Sequence, residues 1–432
     1  MRKIVPVVLL LASAACGGSD AANSANAATV RDSVGVTIVE NAGPTWTEGT
    51  ALVLAAEPTV SIGEMDGPPE YQLYQVRAAT RLADGGIVVF DGGSQEVRYY
   101  DSIGKYIRRS GGKGGGPGEF QGATWMVRLP GDSLVLHDIQ AQRITVLAPD
   151  GTVARTVNLA AAAAAPAPEA AIGSGERRVR VGGLGMYEVL GVMSDGSFLA
   201  RTRGQPALAE PGASVKRDSA TYVRLAADGT LRDTIGVMVG GETQASAGGS
   251  EGRRIVMIGP PPFGKSSQVA LDANGFWFGA SDRYQLEHRT ADGRLDRIVR
   301  RTVEPIAVTP AVVEAAKKIE LERRTDGPAE MRDVFRQMAE EKWKGTMPTT
   351  MPAHGALRTD AAGRLWVSET TLPDDTIPRW TAFDAEGRML GTVAMPANFR
   401  ALEFGRDYVL GVATDENEVE RVDLFRLGPP EP

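Results

Sequence analysis

Short apolar runs recur along this chain, and this repetition constrains the fold more than any other feature of the sequence. Each run follows a turn signal such as Asp84-Gly85, Asp195-Gly196 or Asn274-Gly275, dipeptides that supply the backbone freedom of a tight turn. The runs are GGIVVFD (85–91), DSLVLHD (132–138), DGSFLAR (195–201), NGFWFGA (274–280), AGRLWVS (362–368) and RDYVLGV (406–412). Because they are apolar on both strand faces, they suit strands that lie between two neighbouring sheets.

A second strand with an alternating or mixed pattern follows each run, and in five of the six units a further turn and a closing strand come after it. Such a unit is one blade of a β-propeller. The apolar strands start at 86, 133, 196, 275, 363 and 407, so successive starts are 47, 63, 79, 88 and 44 residues apart. The shortest spacings match a blade of roughly 40–50 residues. The sequence therefore predicts an all-β fold, a six-bladed β-propeller of four-stranded antiparallel blades over residues 31–428.

The sixth unit lacks its outermost strand, because the chain ends with RVDLFRLGPPEP. Two strand-like segments, residues 35–40 and 57–63, precede the first blade. We expect one of them to complete the sixth blade and close the ring, since closure removes exposed sheet edges.

One segment, residues 309–345, breaks the all-β pattern. Apolar residues recur at i, i+3, i+4 and i+7 in TPAVVEAAKKIELERR and again in GPAEMRDVFRQMAEEKWKG, which is the spacing of an amphipathic helix. Thr309-Pro310 and Gly327-Pro328 are typical helix starts. We predict a helical hairpin inserted between blades four and five. It either covers an apolar patch by packing, or serves as a lid over the central channel or a docking surface for a partner.

The N-terminal stretch MRKIVPVVLLLASAACGGSD has the pattern of an export signal. Two basic residues precede an apolar stretch that is too short to span a bilayer. Cys16 is the only cysteine of the chain, and LASAAC resembles a bacterial lipobox in which Ser13 replaces the usual leucine. We predict a lipoprotein signal peptide over residues 1–15, a lipidated Cys16 and a flexible tether over residues 16–30. The alternative is ordinary signal cleavage near Cys16.

These features predict an exported protein that is lipid-anchored to the cell envelope, on its periplasmic or outer-membrane side. Removing Arg2 and Lys3 leaves 45 basic and 54 acidic residues, a mature net charge of −9. Such a surface would not adhere to anionic lipid by itself, so acyl chains would provide the attachment to the membrane. No basic stripe is present, which argues against a nucleic-acid partner. We expect a monomer.

The densest glycine cluster, GGKGGGPGEF (111–120), reads as a turn between blades. Neither the P-loop pattern nor G-x-G-x-x-G fits it in any register. With SIGEMDGPPEYQL (61–73) and DAAGRLWV (360–367), this cluster makes the chain resemble the bacterial six-bladed propeller lipoproteins related to NHL repeats, over roughly residues 30–428. The resemblance implies that the cluster joins one blade to the next and that Phe120 packs between blades. It is specific for fold and weak for function.

Catalytic and metal-binding motifs are mostly absent from this sequence. Residues 248–252 match the G-x-S-x-G nucleophile elbow in letters only, because we expect them to lie in a Gly/Ser loop. The three histidines, His137, His288 and His354, do not have the spacing of a zinc motif. His354 lies just before an innermost strand and could face the central channel. We therefore predict no metal site and no cofactor.

The central channel is where propeller hydrolases and lyases keep their chemistry, and lactonase-type members hold calcium there with Glu, Asn and Asp. In this chain the polar residues near the innermost strands are mostly arginines, which suits an anionic or carbohydrate-like ligand better than calcium. The alternative is that these arginines pair with acidic neighbours in a water-filled pore. The channel-binding candidates are Arg77, Arg128, Tyr187, Gln268, His354, Arg358, Asn398 and Arg400.

Three functions remain open on the sequence. The first is an exported, lipid-anchored propeller that binds or scaffolds a protein, glycan or peptide in the cell envelope. The second is a channel-site hydrolase or lyase of lactonase type, the only case in which calcium is expected. The third is a structural subunit of an outer-membrane complex, with the helical insertion as its docking arm. The lack of catalytic motifs favours a binding module over an enzyme.

Overall fold

The computed structural model describes residues 28–159, 170–172, 177–179, 186–203, 215–250, 253–323 and 329–430. The predicted signal peptide, Cys16 and most of the predicted tether lie outside these residues. The described part of the chain is mostly β-structure and contains two helices.

The first eight strands are β1 (Thr29–Ser33), β2 (Val36–Asn41), β3 (Val53–Leu54), β4 (Val60–Ile62), β5 (Val76–Arg81), β6 (Ile87–Asp91), β7 (Glu96–Tyr100) and β8 (Tyr106–Gly111). They are followed by β9 (Ala123–Arg128), β10 (Leu134–Asp138), β11 (Arg143–Leu147), β12 (Val153–Asn158), β13 (Ala170–Ile172) and β14 (Arg177–Val179). The central strands are β15 (Met186–Val192), β16 (Phe198–Arg203), β17 (Lys216–Leu225), β18 (Leu231–Ser250), β19 (Arg253–Gly259), β20 (Gln268–Leu271), β21 (Gly275–Gly279), β22 (Gln285–Thr290) and β23 (Leu295–Arg301). The helices α1 (Pro310–Arg323) and α2 (Ala329–Lys342) come next, and the last strands are β24 (Leu357–Thr359), β25 (Leu365–Ser368), β26 (Arg379–Phe383), β27 (Met389–Ala394), β28 (Phe399–Phe404), β29 (Tyr408–Thr414) and β30 (Glu420–Gly428).

Most of these strands form antiparallel sheets of four or more strands, in chain order. We number them sheet 1 (β5–β8), sheet 2 (β9–β12), sheet 3 (β15–β19), sheet 4 (β20–β23), sheet 5 (β24–β27) and sheet 6 (β28–β30). Strands β13 and β14 form a separate pair. The first strands of successive sheets touch: β5 contacts β9, β15 contacts β20, β20 contacts β24, β24 contacts β28, and β28 contacts β5.

Two N-terminal segments extend these sheets in different ways. Strand β4 pairs antiparallel with β30, and β3 pairs with the end of β30. One of the two N-terminal segments, residues 57–63, therefore extends sheet 6, as predicted for one or the other of them. Strand β2 instead pairs in parallel with β23 and, with β1, widens sheet 4. The first and last parts of the chain are therefore joined by backbone hydrogen bonds.

Asp-Gly turns shape the ends of the strands in the way the sequence predicts. Gly85 and Gly151 both take a left-handed backbone conformation, with φ of +91° and +84°. In each turn the preceding aspartate accepts a backbone hydrogen bond: Gly86 N–H donates to Asp84 Oδ1 over 2.9 Å, and Thr152 N–H donates to Asp150 Oδ1 over 2.9 Å. Glycine tolerates the backbone angle and aspartate caps the turn.

The core consists of six apolar clusters, each lying between two consecutive sheets. In β6, for example, Ile87 and Val89 face sheet 6 while Val88 and Phe90 face sheet 2. This explains why the runs are apolar on both faces. Because the cluster between sheets 6 and 1 follows the one between sheets 5 and 6, the series closes on itself, an arrangement consistent with a β-propeller.

The glycine cluster at 111–120 is a turn between sheets 1 and 2, as the sequence predicts. Phe120 is fully buried there, and its ring meets that of Phe90 edge-on at 5.8 Å between centroids. Gly111 has φ of +84°, and an added Cβ would lie 2.8 Å from the Phe120 ring. Glycine is required here both for the backbone angle and for the close approach.

Helix α2 packs against the long strand β18. An added Cβ on Gly248 would lie 2.4 Å from the carbonyl oxygen of Val334, and Gln244 Nε2 donates to the carbonyl of Lys342 over 3.3 Å. The prediction of a Gly/Ser loop here is wrong, since Gly248 sits within β18 and pairs with Ile255 of β19. The first three residues of the G-x-S-x-G match, 248–250, therefore belong to strand β18, which α2 covers. Among the described helices, none is long and apolar enough to cross a membrane.

Candidate functional site

Three of the predicted channel residues occupy equivalent positions in three consecutive sheets. Arg77, Arg358 and Arg400 are each the second residue of the first strand of their sheet, in β5, β24 and β28. Because β24 contacts β28 and β28 contacts β5, the three arginines follow one another around the inner edge of sheets 5, 6 and 1.

Arg400 and Arg77 are held at the seam between sheets 6 and 1. Arg400 Nη2 donates to the carbonyl oxygen of Val76 over 2.7 Å. The N–H of Val76 in turn donates to Glu420 Oε2 over 2.7 Å, and Arg77 Nη2 donates to Gln75 Oε1 over 3.2 Å. Arg77 and Arg400 are both exposed. Their N–H groups that make no hydrogen bond therefore face solvent at the start of β5.

Arg358 is half-buried beside them. Its Nη1 donates to the carbonyl oxygen of Leu357 over 2.8 Å. Burial and then the positive charge of Arg400 lower the pKa of Arg358 from its ordinary value. Desolvation also lowers the pKa of Arg400, with Glu420 opposing this shift and Arg77 adding to it. Arg400 is thus close enough to Arg358 and to Arg77 for its positive charge to repel theirs.

In the described part of the chain, no carboxylate neutralises this cluster by direct contact. Within the described ranges, none of the three arginines forms an ion pair, although most other arginines on the sheets do. Glu420 is the carboxylate whose charge acts on the cluster, because it raises the pKa of Arg400. A guanidinium that is half-buried without an ionic partner costs free energy, so the arrangement favours a bound anion.

At the opposite ends of β9 and β5, the arginines have a charged or an aromatic neighbour. Arg128, the last residue of β9, pairs with Asp132 over 2.9 Å. Arg81, the last residue of β5, lies over the ring of Tyr408 at 4.9 Å, and the Tyr408 hydroxyl donates to Glu403. Burial and then the charge of Glu403 raise the pKa of Tyr408. Arg128 therefore behaves as a paired arginine, unlike the cluster at the other end.

His354 lies in the core and does not face a channel. It is fully buried, its Nδ1 donates to the carbonyl oxygen of Gly355 over 2.9 Å, and its Nε2 accepts the N–H of Ser281 over 3.2 Å. Because burial lowers the pKa of His354, the neutral imidazole with the proton on Nδ1 fits this environment. The hydrogen bond from Ser281 joins sheet 4 to sheet 5, so the role of His354 is structural.

Among the described residues, the other three candidates form no hydrogen bond with the arginine cluster. Tyr187 is buried among apolar residues between sheets 2 and 3, and burial raises the pKa of its hydroxyl. Gln268 donates from Nε2 to Ser266 Oγ over 2.9 Å. Asn398 is exposed in a turn with φ of +56°, a conformation that asparagine tolerates better than most residues.

Sequence reasoning missed Glu420, the acidic residue of the site. It lies at the start of β30, the third strand of sheet 6, so a search limited to innermost strands does not find it. Its contact with Val76 joins residues that are 344 positions apart in the sequence. The contact forms only when the first and last sheets meet, and the sequence around Glu420 does not predict it.

No metal centre is found in the described part of the chain, since no three His, Cys, Asp or Glu side chains there are grouped to hold an ion. The acidic ligands that calcium requires do not converge with Asn398 among these residues.

Comparisons with known proteins leave the family of the chain open. No protein-family model matches it, and no curated protein is similar to it in sequence. Solved structures with a similar fold include a member of the DUF4221 family from Bacteroides vulgatus, at 8% identity, TM-score 0.46, covering 88% of this chain and 99% of that one. A gluconolactonase from Xanthomonas campestris aligns at 13% identity, TM-score 0.37, covering 86% and 99%. Virginiamycin B lyase from Staphylococcus aureus aligns at 10% identity, TM-score 0.35, covering 82% and 94%. At these TM-scores the similarities carry no argument about what this chain does.

Proposed function

We propose that this protein is an exported, lipid-anchored binding module of the cell envelope, and that it binds an anionic ligand at Arg77, Arg358 and Arg400. The observation that carries the proposal is the cluster of three arginines without an ionic partner among the described residues. Guanidinium groups present planar, always-charged donors that match carboxylates and phosphates. An anion here would satisfy donors and remove mutual repulsion at once.

In this proposal the six large sheets are the blades of a six-bladed propeller, related to NHL-repeat propellers, and α1 and α2 are an insertion between blades four and five. The closed series of apolar clusters supports the blade count. The close packing of α2 on Gly248 supports an insertion that braces the long hairpin of β18 and β19. A lactonase-type reaction would need converging carboxylates, and the cluster offers guanidinium groups in their place.

The anchor is proposed from the N-terminal sequence alone. Cys16 follows a short apolar stretch and small residues, and no second cysteine exists in the chain. The expected result is incorporation of labelled fatty acid into the native chain and none into a Cys16→Ser variant. Labelling of both chains, or of neither, would contradict the anchor and leave the binding site untouched.

The binding proposal is tested by calorimetric titration of the mature chain, purified in detergent at low ionic strength so that surface charges are not screened. The probes are methyl phosphate, succinate and butyrate, with glucose as a neutral control. We expect the anions to bind and glucose not to bind. Arg358→Gln and Arg400→Gln should each weaken anion binding at least tenfold, because each removes one charge-assisted donor group.

Arg128→Gln is the matched control, since Arg128 also lies on a first strand but pairs with Asp132. This variant should bind anions as the native chain does. If none of the anions binds, or if Arg128→Gln weakens binding as much as the other two substitutions, the proposed site is wrong.

A further inference from the structure

The cluster of arginines carries an excess of two positive charges. Arg77, Arg358 and Arg400 contribute three, and Glu420, whose charge acts on Arg400, contributes one negative charge. Among the described residues no acidic group forms an ion pair with these arginines, and Glu420 acts on Arg400 without direct contact. A ligand that neutralises the site therefore needs two negative charges.

Glu420 is fixed in place, so its charge stays in the site when a ligand arrives. Its Oε2 accepts the N–H of Val76 over 2.7 Å, and the carbonyl of the same residue accepts Arg400 Nη2 over 2.7 Å. Moving Glu420 aside would leave the N–H of Val76 without its partner, which costs free energy in a partly buried position. Glu420 and Arg400, from two strands of sheet 6, thus bind the N–H and the carbonyl oxygen of one residue, Val76.

We propose that the ligand carries a dianionic group, as in a phosphate monoester or a pair of adjacent carboxylates, and that Glu420 sets this charge preference. The inference rests on the proposed function, since it specifies the ligand of the same site. Without Glu420 the site would hold three uncompensated positive charges and would favour still more highly charged anions. With it, a monoanion leaves one positive charge without a partner.

The test compares matched ligands that differ by one charge. Methyl phosphate and dimethyl phosphate share a tetrahedral phosphate but carry two charges and one charge at pH 8, because the second phosphate pKa is about 6. Succinate and butyrate are the corresponding pair of carboxylates. We expect the dianion of at least one pair to bind the native chain about tenfold more tightly than its monoanion, the effect of one unit charge at a partly hydrated site.

The substitution Glu420→Gln tests the residue. A glutamine can still accept the N–H of Val76, so the variant keeps the hydrogen bond and removes the charge. Binding should become tighter for both members of a pair, and by the larger factor for the dianion, since the energy scales with ligand charge. Glu386→Gln removes one negative charge from an exposed side chain in another turn and should leave both affinities unchanged.

The outcomes separate the two proposals. If no anion binds the native chain, the proposed function fails. If anions bind but the monoanion and dianion of each pair bind equally, or Glu420→Gln changes neither affinity, the dianion inference fails while the binding module stands. Preference for methyl phosphate assigns a phosphate monoester, and preference for succinate alone assigns a dicarboxylate; either supports the inference. Far-UV circular dichroism of the variant, with a native spectrum expected, checks that a lost affinity is not a lost fold.

Discussion

Replacing Arg358 by methionine should stabilise the ligand-free protein, although it removes a hydrogen bond. Arg358 makes one hydrogen bond, to the carbonyl of its neighbour Leu357, and burial together with the charge of Arg400 disfavours its charged form. Methionine is a shorter, unbranched apolar side chain that replaces the stem of the arginine and removes the charge. Solvent screens much of the repulsion because Arg358 is only half-buried. We therefore expect a gain of about 1 kcal/mol in the free energy of unfolding, the low end for replacing buried charged groups by apolar ones.

Arg364→Met is the matched control, because Arg364 directly precedes β25 of the same sheet and has an ionic partner. Its Nε pairs with Asp360 over 2.6 Å, and the Asp360 side chain is 0% exposed. Its Nη2 also donates to the carbonyl of Arg406 over 2.7 Å. Removing this arginine leaves a buried carboxylate without its ionic partner, which should cost about 3 kcal/mol. The two substitutions are chemically identical and are expected to have opposite signs.

The assay is urea unfolding of the mature chain in a buffer free of multivalent anions, with midpoints compared at equal slope. Adding methyl phosphate should raise the midpoint of the native chain, because a ligand that binds only the folded state stabilises it, and should not raise that of Arg358→Met. The reasoning is refuted if Arg358→Met lowers the midpoint as Arg364→Met does. Arg358 would then be a structural residue with partners, and not part of an open anion site.

Two further predictions concern the scaffold. Burial lowers the pKa of His288, but its hydrogen bonds to two aspartates outweigh this and raise the pKa above 6.5; the charged imidazole thus contributes stability that is complete below pH 6.5 and is lost as the pH rises through the raised pKa. Urea midpoints of the native chain and His288→Gln, measured from pH 5.5 to pH 9, should converge as the pH rises, and a constant difference would contradict the assignment. Gly248→Ala should detach α2 from β18, because the new Cβ would lie 2.4 Å from the carbonyl oxygen of Val334, and amide hydrogen exchange in α2 should accelerate. Gly259→Ala, in β19 with nothing within 4 Å of the added Cβ, should leave that exchange unchanged.

The inner strands and the turns between sheets could be predicted from the sequence because their signals are local. The channel-binding candidates Arg77, Gln268 and Arg400, expected near innermost strands, lie in the first two residues of β5, β20 and β28. Phe120 lies between sheets 1 and 2, as the resemblance of its glycine-rich segment implies. In these places the backbone angle, the apolar pattern and the packing all favour the same structure.

Strand β18 could not be predicted, because its conformation depends on contacts from other parts of the chain. A stretch rich in glycine and serine reads as a loop, since these residues have weak strand preference. Here the second half of β18 pairs with β19, and the absence of a side chain at Gly248 lets α2 approach closely. The same glycine that weakens the local strand signal is required by the helix packing.

The candidate site was half predictable, for a physical reason. Arg77, Arg358 and Arg400 could be found because the propeller pattern shows which strand is innermost, and their spacing along each strand is the same. The sequence does not show which arginines form ion pairs. Arg128 contacts Asp132 across a turn, whereas the three clustered arginines have no acidic ion-pair partner among the described residues. His354 was misplaced for the same reason, because the sequence does not show that the N–H of Ser281 reaches its ring.

The arginine site and the closure of the ring share the same residues, and this couples binding to folding. Val76 receives Arg400 from β28 and donates to Glu420 of β30, so two of the contacts that join sheet 6 to sheet 1 are also the contacts that shape the site. Strand β30 in turn holds β4 from the chain start. An anion shared by Arg400 and Arg77 would bridge the seam between the first and last sheets. Its binding free energy would then add to the stability of the closed ring, since a ligand bound only to the folded state stabilises that state. Opening the seam would separate Arg400 from Arg77 and release the ligand.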